Sequence, residues 1–430
     1  MNFTIFKTQW FRIARLGLAL AVSVAPVCAQ QAQHFTITDL GTLGGSFSLA
    51  YAVNNKGQVD GFSTLPGDAV FHSFVYENGR MIDLGTLGGP NSQSFSTLND
   101  STQVGGTAET SASDPNGEDF CGFGTHLICL GFVWHNGVMK RLSTLGGNNS
   151  QVAGVNDLGQ VVGYAEKSAI DPGCLVPQAL QFVPVVWNKG EIQALPLYPG
   201  DMDGFAVWIN NVGDAVGASG ICAAFDPRYA APIQPQHALL WRNGKAIDLG
   251  NLGGEMNNGA FSINDRGQVV GASDLPGDTF QHAFIWQDGK MTDLGTLPGD
   301  VVSAAVAINN RGQVTGVSTD ALGDIRGFLW QNGLMTDLNS LIPADSPWFV
   351  LHGFGINSVG QISGFAFNTE TGEVHGIVLN PNTGLAQAGA APGLQAATAD
   401  ERAAASAKAR KLLQQRVRFG PFGVHLLGHR

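Results

Sequence analysis

Five carboxylates stand where a ligand could reach them. Pro-Gly-Asp recurs four times, ending in Asp68, Asp201, Asp278 and Asp300, and Asp203 follows Asp201 by two residues. Proline at the second position and glycine at the third suit a type II turn, which would display each Asp at a loop tip. Displayed carboxylates can hold a cation or a sugar hydroxyl. Calcium takes six to eight oxygens, and the chain has no Asp-x-Asp-x-Asp loop. Asp201-Met202-Asp203 is the nearest approach. No cofactor is required by these residues; calcium is the one they would admit, and turn chemistry accounts for most of the pattern.

Three further sets carry chemistry. His72, His237 and His282 occupy one position, before the third strand, in different and well-separated repeats. A shared metal would need them to converge, and their separation predicts a capping or loop hydrogen bond instead. Tyr76, Trp134, Trp187, Trp241, Trp286 and Trp330 also share one position. They could stack on sugar rings, but repetition within a strand predicts packing in a core. Cys121, Cys129, Cys174 and Cys222 all fall in long insertions. An even count in an exported chain indicates disulfides. Three pairings exist, and Cys121–Cys129 with Cys174–Cys222 is favoured; a zinc site would need a Cys-x-x-Cys spacing that is missing. No Gly-x-Ser-x-Gly elbow, His-Glu-x-x-His, P-loop or dinucleotide fingerprint stands in a suitable context, so no catalytic residue is assigned.

The elements that must position these residues are repeated hairpins. Phe284-Ile285-Trp286-Gln287-Asp288-Gly289-Lys290-Met291 reads as a strand, a two-residue turn and a strand, and five further copies are clear. Asp-Gly and Asn-Gly favour a type I′ turn, which needs positive φ at both central residues. A second hairpin, typified by Ile263-Asn264-Asp265-Arg266-Gly267-Gln268-Val269-Val270-Gly271, has seven copies spaced 45, 57, 54, 54, 45 and 48 residues apart. Two hairpins per unit give four strands in about 45 residues, the period of a propeller blade.

The expected fold is thus all-β: a seven-bladed propeller over residues 30–384. Strands a to d run outward in each blade. The stretch Phe35 to Leu43 matches a d strand whose companions lie near residues 355–380, so the N-terminal strand should close the last blade and remove an open edge. This phase puts the tight a–b and c–d turns on one face. The b–c and d–a loops, with every long insertion (about 107–130, 165–182 and 218–236), lie on the other. Variable loops on a rigid ring are where binding usually sits.

Residues 1–29 read as a signal peptide: a basic start, an apolar run from Leu16 to Val27, and Val27-Cys28-Ala29 before the cut. No transmembrane segment is expected once it is removed. Residues 385–430 read as a linker and a basic helical or disordered tail. The signal and tail take ten of the 23 basic residues and two of the 34 acidic ones, leaving 13 against 32 and a net −19 in between. That balance argues against a nucleic-acid partner, which would call for a basic patch.

The repeat resembles the bacterial extracellular HAF repeat, named for a His-Ala-Phe triplet. His282-Ala283-Phe284 carries it, His72-Ser73-Phe74 and His237-Ala238-Leu239 are near copies, and Trp-x-Asn/Asp-Gly-x-Met-x-Asp-Leu-Gly follows. The resemblance spans about 35–380 and weakens in units two to four. It implies export and a propeller-like fold, and brings no activity with it. The resulting expectation is a monomeric, secreted or envelope-located, non-enzymatic propeller that binds a carbohydrate or a protein through its long-loop face. Two alternatives remain open: a propeller hydrolase or lyase acting on an extracellular polysaccharide or peptide, and a structural cell-surface component.

Overall fold

The computed structural model describes residues 34–382 except Ser96 and 227–230, with scattered residues at 404–411 and the short strands Val417–Gly420 and Gly423–Leu426. The signal-peptide segment and most of the tail lie outside the described residues. Seven four-stranded antiparallel sheets form the blades of a propeller. Blades 1 to 6 occupy residues 48–83, 88–141, 146–194, 203–248, 258–295 and 300–337. Blade 7 takes three strands from 348–381 and its outermost strand, Phe35–Asp39, from the other end of the chain. Phe35 pairs with Pro381 and Asp39 with Ile377, as the phase of the repeats predicts.

Each recurring motif has a geometric reason. All six Asn/Asp/Lys-Gly c–d turns have positive φ at both central residues, for example Asp288 at 50° and Gly289 at 84°. This is the type I′ signature. The four Pro-Gly-Asp segments close turns in which the Asp amide donates to the carbonyl three residues back, as in Asp278 to Leu275 at 3.0 Å. Gly277 at the third position has φ 88°, as a type II turn requires.

The glycine that ends each Gln-Val-x-Gly motif serves a different purpose. Strand a carries a bulge in most blades, as between Ala260 and Ser262. The bulge brings a strand-a carbonyl against strand b. A Cβ on Gly271 would overlap the Gly259 carbonyl, and the same holds for Gly217 against Phe205 and Gly364 against His352. The core lies between blades. Trp187, Trp241, Trp286 and Trp134 are buried within the inter-blade clusters, which is the packing role expected of them. Trp187 and Trp241 also satisfy their indole N–H on the carbonyls of Ser143 and Pro196.

Candidate functional site

On the tight-turn face, the seven Asn residues that open the a–b turns form a closed ring. Each side chain shapes its own turn: Asn264 Oδ1 accepts from the Arg266 and Gln268 amides at 3.0 Å. Its Nδ2 also donates to the carbonyl of the next blade's Asn, here Asn309 at 3.0 Å. The series runs Asn54, Asn99, Asn156, Asn210, Asn264, Asn309, Asn357 and back to Asn54, with every link between 2.9 and 3.0 Å. The following residues add an outer tier. Asp100, Asp157 and Asp265 each accept a side-chain amide, from Asn55, Asn211 and Asn310. These turns line an axial cavity of about 160 Å³. Its donors and acceptors are spent on each other, so the ring is a clasp for the blades.

Inward of the turns, side chains of the a strands pack side by side. Tyr51 lies 5.6 Å from Phe95 and 4.6 Å from Phe354, ring centre to ring centre. His352 stacks on Phe354 at 3.9 Å and is 2% exposed. Burial pushes its pKa down to about 3, so the ring is neutral.

The long-loop face carries all the carboxylates singled out from the sequence, and each has a local partner. Asp68 accepts from the amide and hydroxyl of Ser46 at 2.8 Å. Asp278 takes the Glu255 amide at 2.7 Å. Asp201 binds His237 Nδ1 at 2.8 Å and the Ser219 hydroxyl. Asp300 pairs with Arg326 at 2.5 Å. Asp203 is fully buried and accepts from the Phe182 amide at 3.0 Å. Asp201 and Asp203 therefore face different partners and do not make a bidentate calcium corner.

The His residues before strand c are capped by acids, as expected. His72 Nδ1 meets Asp83 at 2.9 Å, and His282 meets Asp293 at 2.9 Å. His375 repeats the pairing with Asp39 across the closure of the ring. In blade 6, Arg326 takes the histidine's place opposite Asp337. His237 departs from the pattern: it binds Asp201 and stacks on Tyr198 at 3.7 Å.

Disulfides Cys121–Cys129 and Cys174–Cys222 hold the insertions, the pairing favoured from the sequence. The second joins blade 3 to blade 4. A seam of buried acids supports the same loops. Glu118 of blade 2 accepts from Ala179 N at 2.8 Å and Leu180 N at 2.7 Å of blade 3. Gln178 Nε2 bridges Glu118 and Glu166 at 3.1 and 3.0 Å. Burial, then the Glu118 charge, pushes the Glu166 pKa up to about 8. Both carboxyls are fully buried, so they hold loops together and meet no bulky substrate where they stand.

The feature that sequence reasoning missed is apolar. Ile170, Leu175, Val176, Met202, Ile221 and Met256 are exposed, Val176 by 95% and Ile170 by 74%. Phe280 adds an exposed ring. They lie in the loops and strand ends of blades 3 to 5 on the long-loop face, and several of the segments that carry them are linked. The Cys174–Cys222 bond holds the loop that carries Leu175 and Val176 against the strand that carries Ile221. The Met202 amide donates to Gly220 O at 3.2 Å. Ile221 pairs with Gln234, whose side chain reaches Met256 Sδ at 3.8 Å. Gln281, next to Phe280, binds Asn257 O at 2.9 Å. The sequence signal was present as apolar residues inside polar insertions, but only exposure distinguishes them from core.

No family model matches the chain, and no curated relative matches it. Comparison with solved structures finds only remote likenesses. The β-propeller domain of the Trilobed protease from Pyrococcus furiosus is 10% identical, with TM-score 0.46 over 78% of this chain and 97% of that one. A gluconolactonase from Xanthomonas campestris is 12% identical with TM-score 0.33, over 69% and 91%. The Aleuria aurantia lectin is 11% identical with TM-score 0.34, over 69% and 96%. At these values no ligand or reaction carries over. No helix among the described residues is long and apolar enough to cross a membrane.

Proposed function

We propose that this protein is an exported, non-enzymatic propeller of HAF-type repeats that binds a protein partner through the apolar strip on its long-loop face. The strip of exposed aliphatic side chains from Ile170 to Phe280 carries this reading. Several exposed apolar side chains gathered on one disulfide-held face favour docking of a partner. Sugar recognition would favour aromatic platforms, and Phe280 is the strip's one aromatic ring, which supports protein over carbohydrate. The net −19 of residues 30–384 favours a partner segment with apolar side chains flanked by Lys or Arg. The two disulfides support an exported location.

A photo-crosslinking amino acid at Val176 tests this in producing cells, with Leu158 on the tight-turn face as the control position. A discrete adduct from Val176, absent from Leu158 and lost with Ile221→Asp, is expected. A glycan array and a polysaccharide-degradation assay run in parallel. Glycan binding insensitive to Ile221→Asp, or reproducible substrate cleavage, would sink the reading.

A further inference from the structure

Beneath the strip lies a cluster that neither the fold nor the partner-binding reading requires. The sulfurs of Cys174 and Cys222 and a carboxylate oxygen of Asp203 lie within 4.8 Å of one another. Asp203 is fully buried, its Oδ2 has no well-formed hydrogen bond, and its carboxyl lies against the Cys222 amide and the Asp171 carboxyl. A buried carboxylate oxygen without a donor is costly unless something else neutralises it. Asp171, also buried, lies against Asp203. Its Oδ1 is held by the Gly173 amide at 2.7 Å.

We propose that reduction of Cys174–Cys222 converts this cluster into a site for a thiophilic divalent cation such as Zn²⁺. The two thiolates and Asp203 bind the ion and Asp171 completes the set. Two sulfurs and two carboxylate oxygens match the tetrahedral preference of Zn²⁺, with bonds of about 2.3 Å to sulfur and 2.0–2.2 Å to oxygen. Tetrahedral ligand atoms at such lengths stand roughly 3.3–3.8 Å apart, so the two sulfurs must separate once their bond is broken, while Asp203 already lies within 4.8 Å of both. The Cα atoms, 4.7 Å apart, need not move far, because rotation about the side-chain bonds separates the sulfurs.

The chemistry balances with a dithiol as reductant. The dithiol loses two electrons and closes to a cyclic disulfide, and the protein disulfide gains two electrons and two protons to become two thiols. The cation then displaces those two protons, and the proton that Asp203 carries near neutral pH, as it binds the two thiolates and the carboxylate. The oxidised form staples blade 3 to blade 4; the reduced, metal-bound form would staple them through the ion.

The test uses the folded chain with Cys121→Ser and Cys129→Ser, so that one cysteine pair remains. Co²⁺ is titrated before and after reduction by a non-thiol phosphine. The expected result is no binding when oxidised. When reduced, one equivalent binds with sulfur-to-cobalt charge-transfer absorption and a tetrahedral visible spectrum, and both are bleached by Zn²⁺. Asp203→Asn should weaken Co²⁺ binding at least about tenfold, with the far-ultraviolet circular dichroism unchanged. Absence of charge-transfer absorption in the reduced protein, affinity unaltered by Asp203→Asn, or loss of the β spectrum on reduction would each overturn the proposal.

Discussion

The side-chain amide of Asn357 donates to the backbone carbonyl of Asn54 at 3.0 Å, joining residues 303 apart in the chain. It is the last link of the asparagine ring and fastens blade 7 to blade 1 on the tight-turn face. The paired strands Phe35–Asp39 and Val374–Pro381 fasten the ring at its periphery. Closure thus has two separable parts, one at the axis and one at the rim.

Asn357→Ala removes the inter-blade donor and the acceptor for the Val359 and Gln361 amides. At about 1 kcal/mol per net hydrogen bond, a loss of roughly 2–3 kcal/mol is expected, read from urea denaturation. Asn357→Asp separates the two roles, since it keeps the turn acceptor and loses the donor. Wild-type stability for Asn357→Asp would show that the ring bond contributes nothing.

Deleting residues 1–41 removes the outer strand of blade 7 and exposes the edge Val374–Pro381. An open edge invites pairing with other chains. A lower melting temperature and concentration-dependent aggregation are expected by calorimetry and light scattering. Moving residues 34–41 to follow residue 382 through a short turn should restore the melt, because Phe35 already lies antiparallel and opposite Pro381 and the graft makes an ordinary c–d hairpin; supplying them as a free peptide should restore it in part. An unchanged melt after deletion would contradict a structural role for this strand.

Stability should fall as pH rises from about 4 to above 8. Burial raises Glu166 and Asp203 to about 8 and Asp60 to about 6. Such acids bind more protons folded than unfolded in that window, so deprotonation above their folded pKa favours the unfolded chain. Denaturation midpoints at pH 5.5 and 9 check this, and Glu166→Gln should flatten the slope. Asp83 and Asp39 act oppositely at acid pH. Burial pulls each up, but the His72 or His375 bond and a glycine amide outweigh it and leave the pKa lowered. Their contribution is present above the unfolded carboxylate range and is lost as pH drops through the lowered values.

The two disulfides should differ in worth. Cys121–Cys129 closes eight residues of sequence and Cys174–Cys222 closes 48. Loop-closure entropy assigns them roughly 2.5 and 4 kcal/mol. Paired serine substitutions, compared by urea denaturation, should rank in that order. The reverse order would mean that the local loop contributes more through its packing around Phe120 than through chain entropy.

Much of the architecture was legible in the sequence because local rules repeat. Asp288-Gly289 and its counterparts dictate type I′ turns wherever they occur, and seven copies of the Asn-initiated turn count the blades. The displaced strand Phe35–Asp39 could be placed because its motif belongs at the end of a unit. The cysteine pairing followed from equivalent loops on adjacent blades. Other relationships are not local. That Asn264 reaches Asn309 as well as its own turn depends on the angle between neighbouring blades, which no single repeat encodes. That Asp203 is buried against Cys174 and Cys222 while Asp201 caps His237 depends on which side of one turn each side chain leaves. That Val176 and Ile221 are exposed rather than core depends on how far the insertions rise above the ring. Pattern and turn chemistry determined the blades and their order. Only packing in three dimensions decided which polar groups became clasps and which apolar ones were left facing solvent, because exposure and long-range hydrogen bonding are properties of the assembled ring.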